Sequence, residues 1–280
     1  VAILSRGYGG SARQPTLVAA AGSANGVPAT DDWKVVGDET VLLARRFDGP
    51  VVVGRRRAEA GAIACRELGV DAIVLDDAFQ HLAIQRDFDL VCFRSGSAAN
   101  PATIPAGRFR EPLSAIRRAH AVLLTKGKKG MPPDPELVRR LRGRPLFRGD
   151  LRPVSLVTPD GGRWRELPLG ALAGRRALVV TGVADREPFY QTLLDWDSRT
   201  EDFLEFPDHH AYGSEDWKKI SLRSREFDLV VTTEKDLVKL EKFPFAKEKL
   251  VAVRVVMEVE DGERLIDLID DATRSEETRS

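Results

Sequence analysis

The sequence lacks any apolar run approaching the roughly 18 to 20 residues that a bilayer-spanning helix needs, and no basic start with an apolar middle marks a secretory signal. As given, the chain reads as soluble or peripheral. It also lacks an excess of charge: 43 basic and 43 acidic residues cancel, so there is no overall basic footprint for nucleic acid, and an anionic ligand must be met locally. Cysteine is scarce. Cys65 in AIACREL and Cys92 in DLVCF sit in apolar surroundings, which suits reduced, buried thiols in a cytosolic protein rather than a disulfide framework. Four histidines and two scattered cysteines, with no pair at ligand spacing on a helix, argue against a zinc site. Nowhere does the phosphate-cradling pattern G-x-x-x-x-G-K-[ST] occur.

What is present is a regular alternation. Apolar runs VAIL, PVVVG, DAIVLDD, DLVCF and AVLLTKG are separated by helix-compatible stretches such as RRAEAGAIACRELG. Continuously apolar strands alternating with helices predict a doubly wound, mostly parallel α/β sheet with both faces covered. At 280 residues the chain has room for two domains. The texture changes around VSLVTPDGGRWREL, which reads as a β-hairpin turning at Asp160, Gly161 and Gly162. The expected division is a core over 1–147, a hairpin linker over 148–169, and a smaller α/β domain over 170–273. The opening run VAIL reads as a strand already in progress, so a preceding segment is expected.

Several motifs carry chemistry, each with a plainer alternative. In AIVLDDAFQH, four apolar residues deliver Asp76 and Asp77 to a strand's C-terminal end, where ligands bind in such sheets. Paired carboxylates there hold Mg2+ beside a nucleotide, or they cap the following helix. Gln80 and His81 follow as a polar cluster. SRGYGG, Ser5–Gly10, allows close backbone approach or makes a simple turn. Asp38 and Glu39 in VVGDETVLLARR are either catalytic or the acidic first turn of a helix, worth roughly 0.3 to 1 kcal/mol through the helix dipole. Arg55, Arg56 and Arg57 follow a strand, as a phosphate fork or a solvated cluster. In FPDHHAY, at most one of His209 and His210 faces a site, as a general base or carboxylate partner, and the other is expected in solvent. TTEKD, Thr232–Asp236, reads as a site wall or, slightly ahead, a solvated strand-to-helix turn.

Taken in order, SRGYGG, GDETVLLA, the strand with DDAFQH, IPAGRFREP, FPDHHAY and TTEKDLVKL resemble the tetraacyldisaccharide 4'-kinases, the lipid A 4'-kinases, over about Val1 to Leu240. The resemblance implies a P-loop NTPase-like kinase using ATP and Mg2+ to phosphorylate the 4'-hydroxyl of the tetraacylated glucosamine disaccharide 1-phosphate. It places the enzyme peripherally at the cytoplasmic face of the inner membrane of a Gram-negative bacterium. Its partners are the lipid A precursor and that membrane surface, without nucleic acid. Family members carry a membrane-associated helix and a P-loop ahead of the SRGYGG strand, so this chain is expected to be an N-terminally incomplete copy.

Matched residue by residue, the resemblance implies a dyad of Asp38, taking the proton of the sugar hydroxyl, and His209, orienting it from the second domain across closing domains. It makes Asp76 and Asp77 the Mg2+-associated pair. It puts Glu39, Arg57, Gln80, His81, Thr125 and Lys126 at nucleotide or substrate. Two departures stand out. Ala78 replaces the glycine of DDGxQH, where a positive φ would strain Ala by roughly 1 kcal/mol, and Thr40 stands where many members have proline. Another nucleotide-dependent enzyme of related core, or a non-catalytic scaffold, stays open at this level.

Overall fold

The computed structural model of the chain describes all residues except 20–21, 25, 100, 126–131, 162, 183–186, 197–198, 245–248 and 278–280. Two compact units emerge. The larger joins residues 1–77 to 153–255, and the smaller joins 78–152 to 256–280. This differs from the division expected at 148–169, and the reason lies in one strand: Leu146–Asp160 runs on without interruption through Gly149 and Pro153, residues that read as linker in the sequence. Residues 170–255 therefore pack with 1–77 instead of forming the smaller domain expected over 170–273.

In the larger unit a six-stranded sheet is built on β1 (Ala2–Ser5), β2 (Thr16–Val18), β3 (Gly22–Ala24), β4 (Val27–Thr30), β5 (Val51–Val53) and β6 (Ile73–Leu75), in the order β3-β4-β2-β5-β1-β6. β1 lies parallel to both β5 and β6, with Ile3 opposite Val51 and Val74. All three valines of β5 are buried. Burying each stabilises the fold by about 1.5–3 kcal/mol. β6 is at the sheet edge and exposes Val74, so the expectation of strands covered on both faces does not hold there.

The second sheet of this unit uses β11 (Arg176–Thr181), β12 (Arg199–Glu205), β13 (Leu229–Thr233) and β14 (Leu250–Val259), with β9 (Leu146–Asp160) beyond β14. β11 pairs parallel with β12 and β13, and β13 with β14. β10 (Arg163–Leu167) returns antiparallel along β9 with Arg163 opposite Asp160, which is the hairpin expected at the Asp160–Gly161 turn. Gly161 has φ 58, as such a turn requires. Gly162 is outside the described residues.

The helices carry their own start and stop signals. α1 (Trp33–Val36) is capped by the Asp32 side chain, and α2 (Asp38–Arg46) has acid in its first turn and arginines in its last, matching the helix dipole. α3 (Arg57–Leu68) ends on left-handed Gly69. In the smaller unit β7 (Leu90–Arg94), β8 (Ala121–Thr125) and the start of β9 lie parallel, with α4 (Pro135–Leu141) capped by Asp134. α5 (Glu187–Asp195), α6 (Ser214–Arg223) and α7 (Glu234–Leu240) belong to the larger unit. The expectation of buried thiols is corrected: Cys65 and Cys92 are free and both exposed, because Cys65 lies on the outer face of α3 and Cys92 on the edge strand β7.

Candidate active site

The turn after β1 is held tightly against the segment before Asp38. Ser11 and Ala12 donate their N–H groups to the carbonyls of Lys34 and Val35. A Cβ on Gly10 would stand 2.4 Å from Val35 O, and one on Gly37 2.6 Å from Tyr8 O, so the two backbones meet where only glycine fits. This contact seats Asp38 at the first turn of α2. One carboxylate oxygen, Oδ1, accepts from the Glu39 N–H at 2.9 Å. The helix-start reading of Asp38 is thus true of one oxygen only. Thr40 donates its hydroxyl to Val36 O and Gly37 O. It occupies the first turn, where backbone N–H groups have no intrahelical partner, so a proline would also fit the backbone there, without the hydroxyl's bonds.

The other oxygen, Asp38 Oδ2, is met by two groups from far along the chain. His209 Nδ1 lies 3.4 Å away and Lys239 Nζ 3.2 Å away. His209 has φ 58, an uncommon conformation for a non-glycine residue, and its N–H donates to Asp208 Oδ1. Asp38 and His209 lie in the same compact unit. The expectation that the pair straddles two domains is therefore corrected, and no closure is needed to bring them within reach.

His210 does not point into solvent as expected. It stacks on Phe206 and bonds to Asp216 Oδ2 at 3.0 Å. Asp216 also accepts from the Gly213 N–H, closing the start of α6, so His210 is structural. Burial raises the Asp216 pKa, but the Gly213 N–H, His210 and Lys219 outweigh it and hold the carboxyl below its ordinary range.

Helix α7 supplies most of the remaining chemistry, and sequence reasoning underrated it. Lys239 has 1 % of its side chain exposed and also stands 3.5 Å from Asp236 Oδ1. Asp236 is fully buried and accepts from the Gly182 N–H, the Thr233 hydroxyl and the Tyr212 hydroxyl. Burial and then Asp236 push the Tyr212 phenol far above its ordinary range, which keeps it a donor. Lys235 Nζ lies 3.0 Å from His209 Nε2, 3.2 Å from Glu39 Oε1 and 3.3 Å from Asp208 Oδ1. Burial works against the Lys235 charge, yet Glu39, Asp38 and Asp208 outweigh it and raise its pKa. A signal for Lys239 was available. Lysine is almost never buried unless paired, and here it sits inside DLVKL among buried Leu237, Val238 and Leu240.

The acidic pair follows β6. Asp76 Oδ2 accepts from the Ser5 hydroxyl at 2.9 Å, tying it to the end of β1. Asp77 adopts φ 48, whereas Ala78 has no positive φ. The strain expected at Ala78 is therefore absent, since the left-handed residue is an aspartate, which tolerates that region. Arg57 is placed differently from a phosphate fork. It is buried and donates to Gly54 O at 2.9 Å and Asp76 O at 3.1 Å, holding the loop that carries the acids. Burial, only partly countered by Asp76, holds its pKa below the ordinary arginine range.

Gln80, His81 and Thr125 belong to the smaller unit. There His81 N–H donates to Ala78 O, and the Thr125 hydroxyl donates to Phe93 O at the end of β8. Lys126 is outside the described residues. Among the described residues no three His, Cys, Asp or Glu side chains gather as a metal site. Asp76 and Asp77 nevertheless fit Mg2+, which usually takes one or two protein carboxylates and completes its shell with water and phosphate.

A family model described as tetraacyldisaccharide-1-P 4'-kinase matches residues 1–274. The chain belongs to that family. Tetraacyldisaccharide 4'-kinases from Anaeromyxobacter sp. (strain Fw109-5) and Syntrophus aciditrophicus (strain SB) are 39 % and 35 % identical to it, over 94 % and 85 % of this chain. The chain spans 71 % and 66 % of those relatives' length. A crystal structure of the "apo" form of LpxK from Aquifex aeolicus in complex with ATP superimposes with a TM-score of 0.75 at 27 % identity, over 97 % of this chain and 78 % of that one. The fold is accordingly the mixed, mostly parallel α/β architecture of this kinase family. Membership makes the chain a lipid kinase, acting with ATP on the 4'-position of the tetraacyldisaccharide 1-phosphate in bacterial lipid A biosynthesis. The scaffold and other-substrate alternatives are not favoured.

Proposed function

We propose that Asp38 is the general base of the 4'-kinase reaction and that His209 orients it. The observation that carries this reading is the sharing of Asp38 Oδ2 between His209 Nδ1 and Lys239 Nζ. An ionised carboxylate offers about four acceptor positions. Glu39 N–H, His209 and Lys239 take three, which leaves one for the proton of the acceptor hydroxyl. As the O–H bond breaks, the proton passes to Asp38, the freed sugar oxygen bonds to the γ-phosphorus of ATP, and the bond from that phosphorus to the bridging oxygen breaks with ADP as the leaving group. Positioning and charge supply the rest of the rate, since phosphoryl transfer asks little covalent chemistry of the protein. Asp76 and Asp77 would hold Mg2+, which when bound neutralises phosphate charge. Arg57 keeps their loop in place through the Gly54 and Asp76 carbonyls. Gln80, His81, Thr125 and Lys126 serve the nucleotide or the substrate, and Glu39 does so alongside Lys235.

The enzyme works peripherally at the cytoplasmic face of the inner membrane, where a four-chain lipid substrate resides, and takes no nucleic acid. The absence of any helix long and apolar enough to cross a membrane, among the described residues, agrees with peripheral contact. The test is kinetic and uses the full-length protein. Asp38→Ala and His209→Ala should each lower kcat by about 100- to 10,000-fold with little change in KM, and the double variant should be little worse than the poorer single one. A His209→Ala enzyme near wild type, or multiplicative losses in the double variant, would overturn the dyad.

A further inference from the structure

Helix α7 presents two lysines one turn apart, and each addresses a different member of the dyad. Lys239 reaches Asp38 Oδ2, while Lys235 reaches the far nitrogen of His209. A lysine ammonium has three N–H donors and no acceptor. An imidazole nitrogen bonded to it must therefore offer a lone pair, and in a neutral ring the proton then resides on the other nitrogen. From this we infer that Lys235 is a positioning residue, which fixes His209 as the Nδ1–H tautomer and so aims that N–H at Asp38.

The inference rests on the dyad reading and deepens it. His209 reaches both partners from one ring orientation, with Nδ1 3.4 Å from Asp38 Oδ2 and Nε2 3.0 Å from Lys235 Nζ. The Tyr8 ring lies 5.6 Å from the imidazole and flanks it. Lys235 is itself anchored by Glu39 from α2 and Asp208 from the turn beside His209. The charged and titratable groups around the dyad are thus Glu39, Asp208, Lys235, Asp236 and Lys239, with Tyr8 and Tyr212. Of these, only Lys235 is within hydrogen-bond distance of Nε2, since Asp208 Oδ2 stands at 4.0 Å. The raised pKa of Lys235 keeps the ammonium protonated, and so donor-only, across the neutral range. Were Lys235 absent, Asp208 would become the nearest group to Nε2, and as an acceptor it would draw the proton to the wrong side of the ring.

The experiment is 15N NMR of histidine side chains in the present chain, labelled at histidine, with the His209 signals assigned by their loss in His209→Ala. Wild type should show the Nδ1–H pattern for His209. Lys235→Arg, which is also donor-only, should retain it, and Lys235→Met should convert it to a mixture containing Nε2–H. An Nε2–H pattern in wild type, or an unchanged pattern in Lys235→Met, would overturn the assignment. In the full-length enzyme, Lys235→Met should lower kcat by at least about tenfold with KM changed much less, and Lys235→Arg should recover most of it. A Lys235→Met enzyme with wild-type kcat would also overturn it. The two failures are separable. A wild-type-like His209→Ala enzyme removes the dyad, whereas the tautomer readout judges Lys235 without reference to turnover.

Discussion

Replacing Lys239 by methionine keeps most of the side chain's apolar packing and removes its ammonium group. Two carboxylates are then left without their cation: Asp38, with 7 % of its side chain exposed, and Asp236, with none. Breaking a buried ion pair from one side costs about 3–5 kcal/mol, because the remaining charge stays buried and uncompensated. Asp236 keeps three hydrogen bonds, from Gly182, Thr233 and Tyr212, and Asp38 keeps the one from the Glu39 N–H, with His209 Nδ1 3.4 Å from its other oxygen. Those survivors favour the lower end, about 3 kcal/mol. For a unit of this size that corresponds to a fall in melting temperature of about 6–12 °C. Thermal and urea unfolding of the chain, followed by circular dichroism, measures both quantities. The double variant Asp38→Asn/Lys239→Met should recover part of the loss, since one of the two stranded charges is gone, giving a coupling energy well above the about 0.5 kcal/mol of independent sites. A Lys239→Met chain within about 1 kcal/mol of wild type, or losses that simply add, would refute the claim that this lysine compensates both acids.

Two further outcomes test the surroundings of the site. Gly10→Ala should destabilise the larger unit by about 3 kcal/mol or more, as its Cβ meets Val35 O at 2.4 Å, whereas Gly9→Ala, with open space around it and φ 76, should cost only about 1–2 kcal/mol of backbone strain. Equal losses in urea titrations would argue against the close packing of the two backbones. The depressed pKa of Asp216 means its carboxylate contributes stability above its unfolded pKa and loses that contribution as pH falls through the lower folded value. Asp216→Asn should therefore flatten the decline in stability below about pH 4, and an unchanged acid slope would show that His210 and Gly213 do not hold it.

The parallel strands and the hairpin at Asp160 were legible in the sequence because apolar runs and turn glycines are local signals, whereas the pairing of Asp38 with His209 came only from the resemblance of ordered motifs to the kinase family. The division into units was not legible. It depends on residues 256–280 packing with 78–152, a pairing of distant segments that no local pattern announces. Asp77 taking the left-handed conformation, rather than position 78, was hidden because both neighbours of the turn are plausible there. The role of α7 was half legible. TTEKD looks like a solvated turn because its charges sit at a strand exit, and only the contacts of Lys235 with Glu39 and His209 reveal that they point inward.

The ion pair between Lys239 and Asp38 closes a loop of 201 residues. At synthesis rates of about 5–20 residues per second, Asp38 leaves the ribosome roughly 10–40 s before its cation exists. Throughout that interval the carboxylate lacks the buried ammonium that compensates its charge, so its final burial waits for helix α7. The surroundings of Asp38 are consequently among the last parts of the molecule to assemble during translation, and a nascent chain stalled short of helix α7 would hold Asp38 and His209 without the two lysines that meet them.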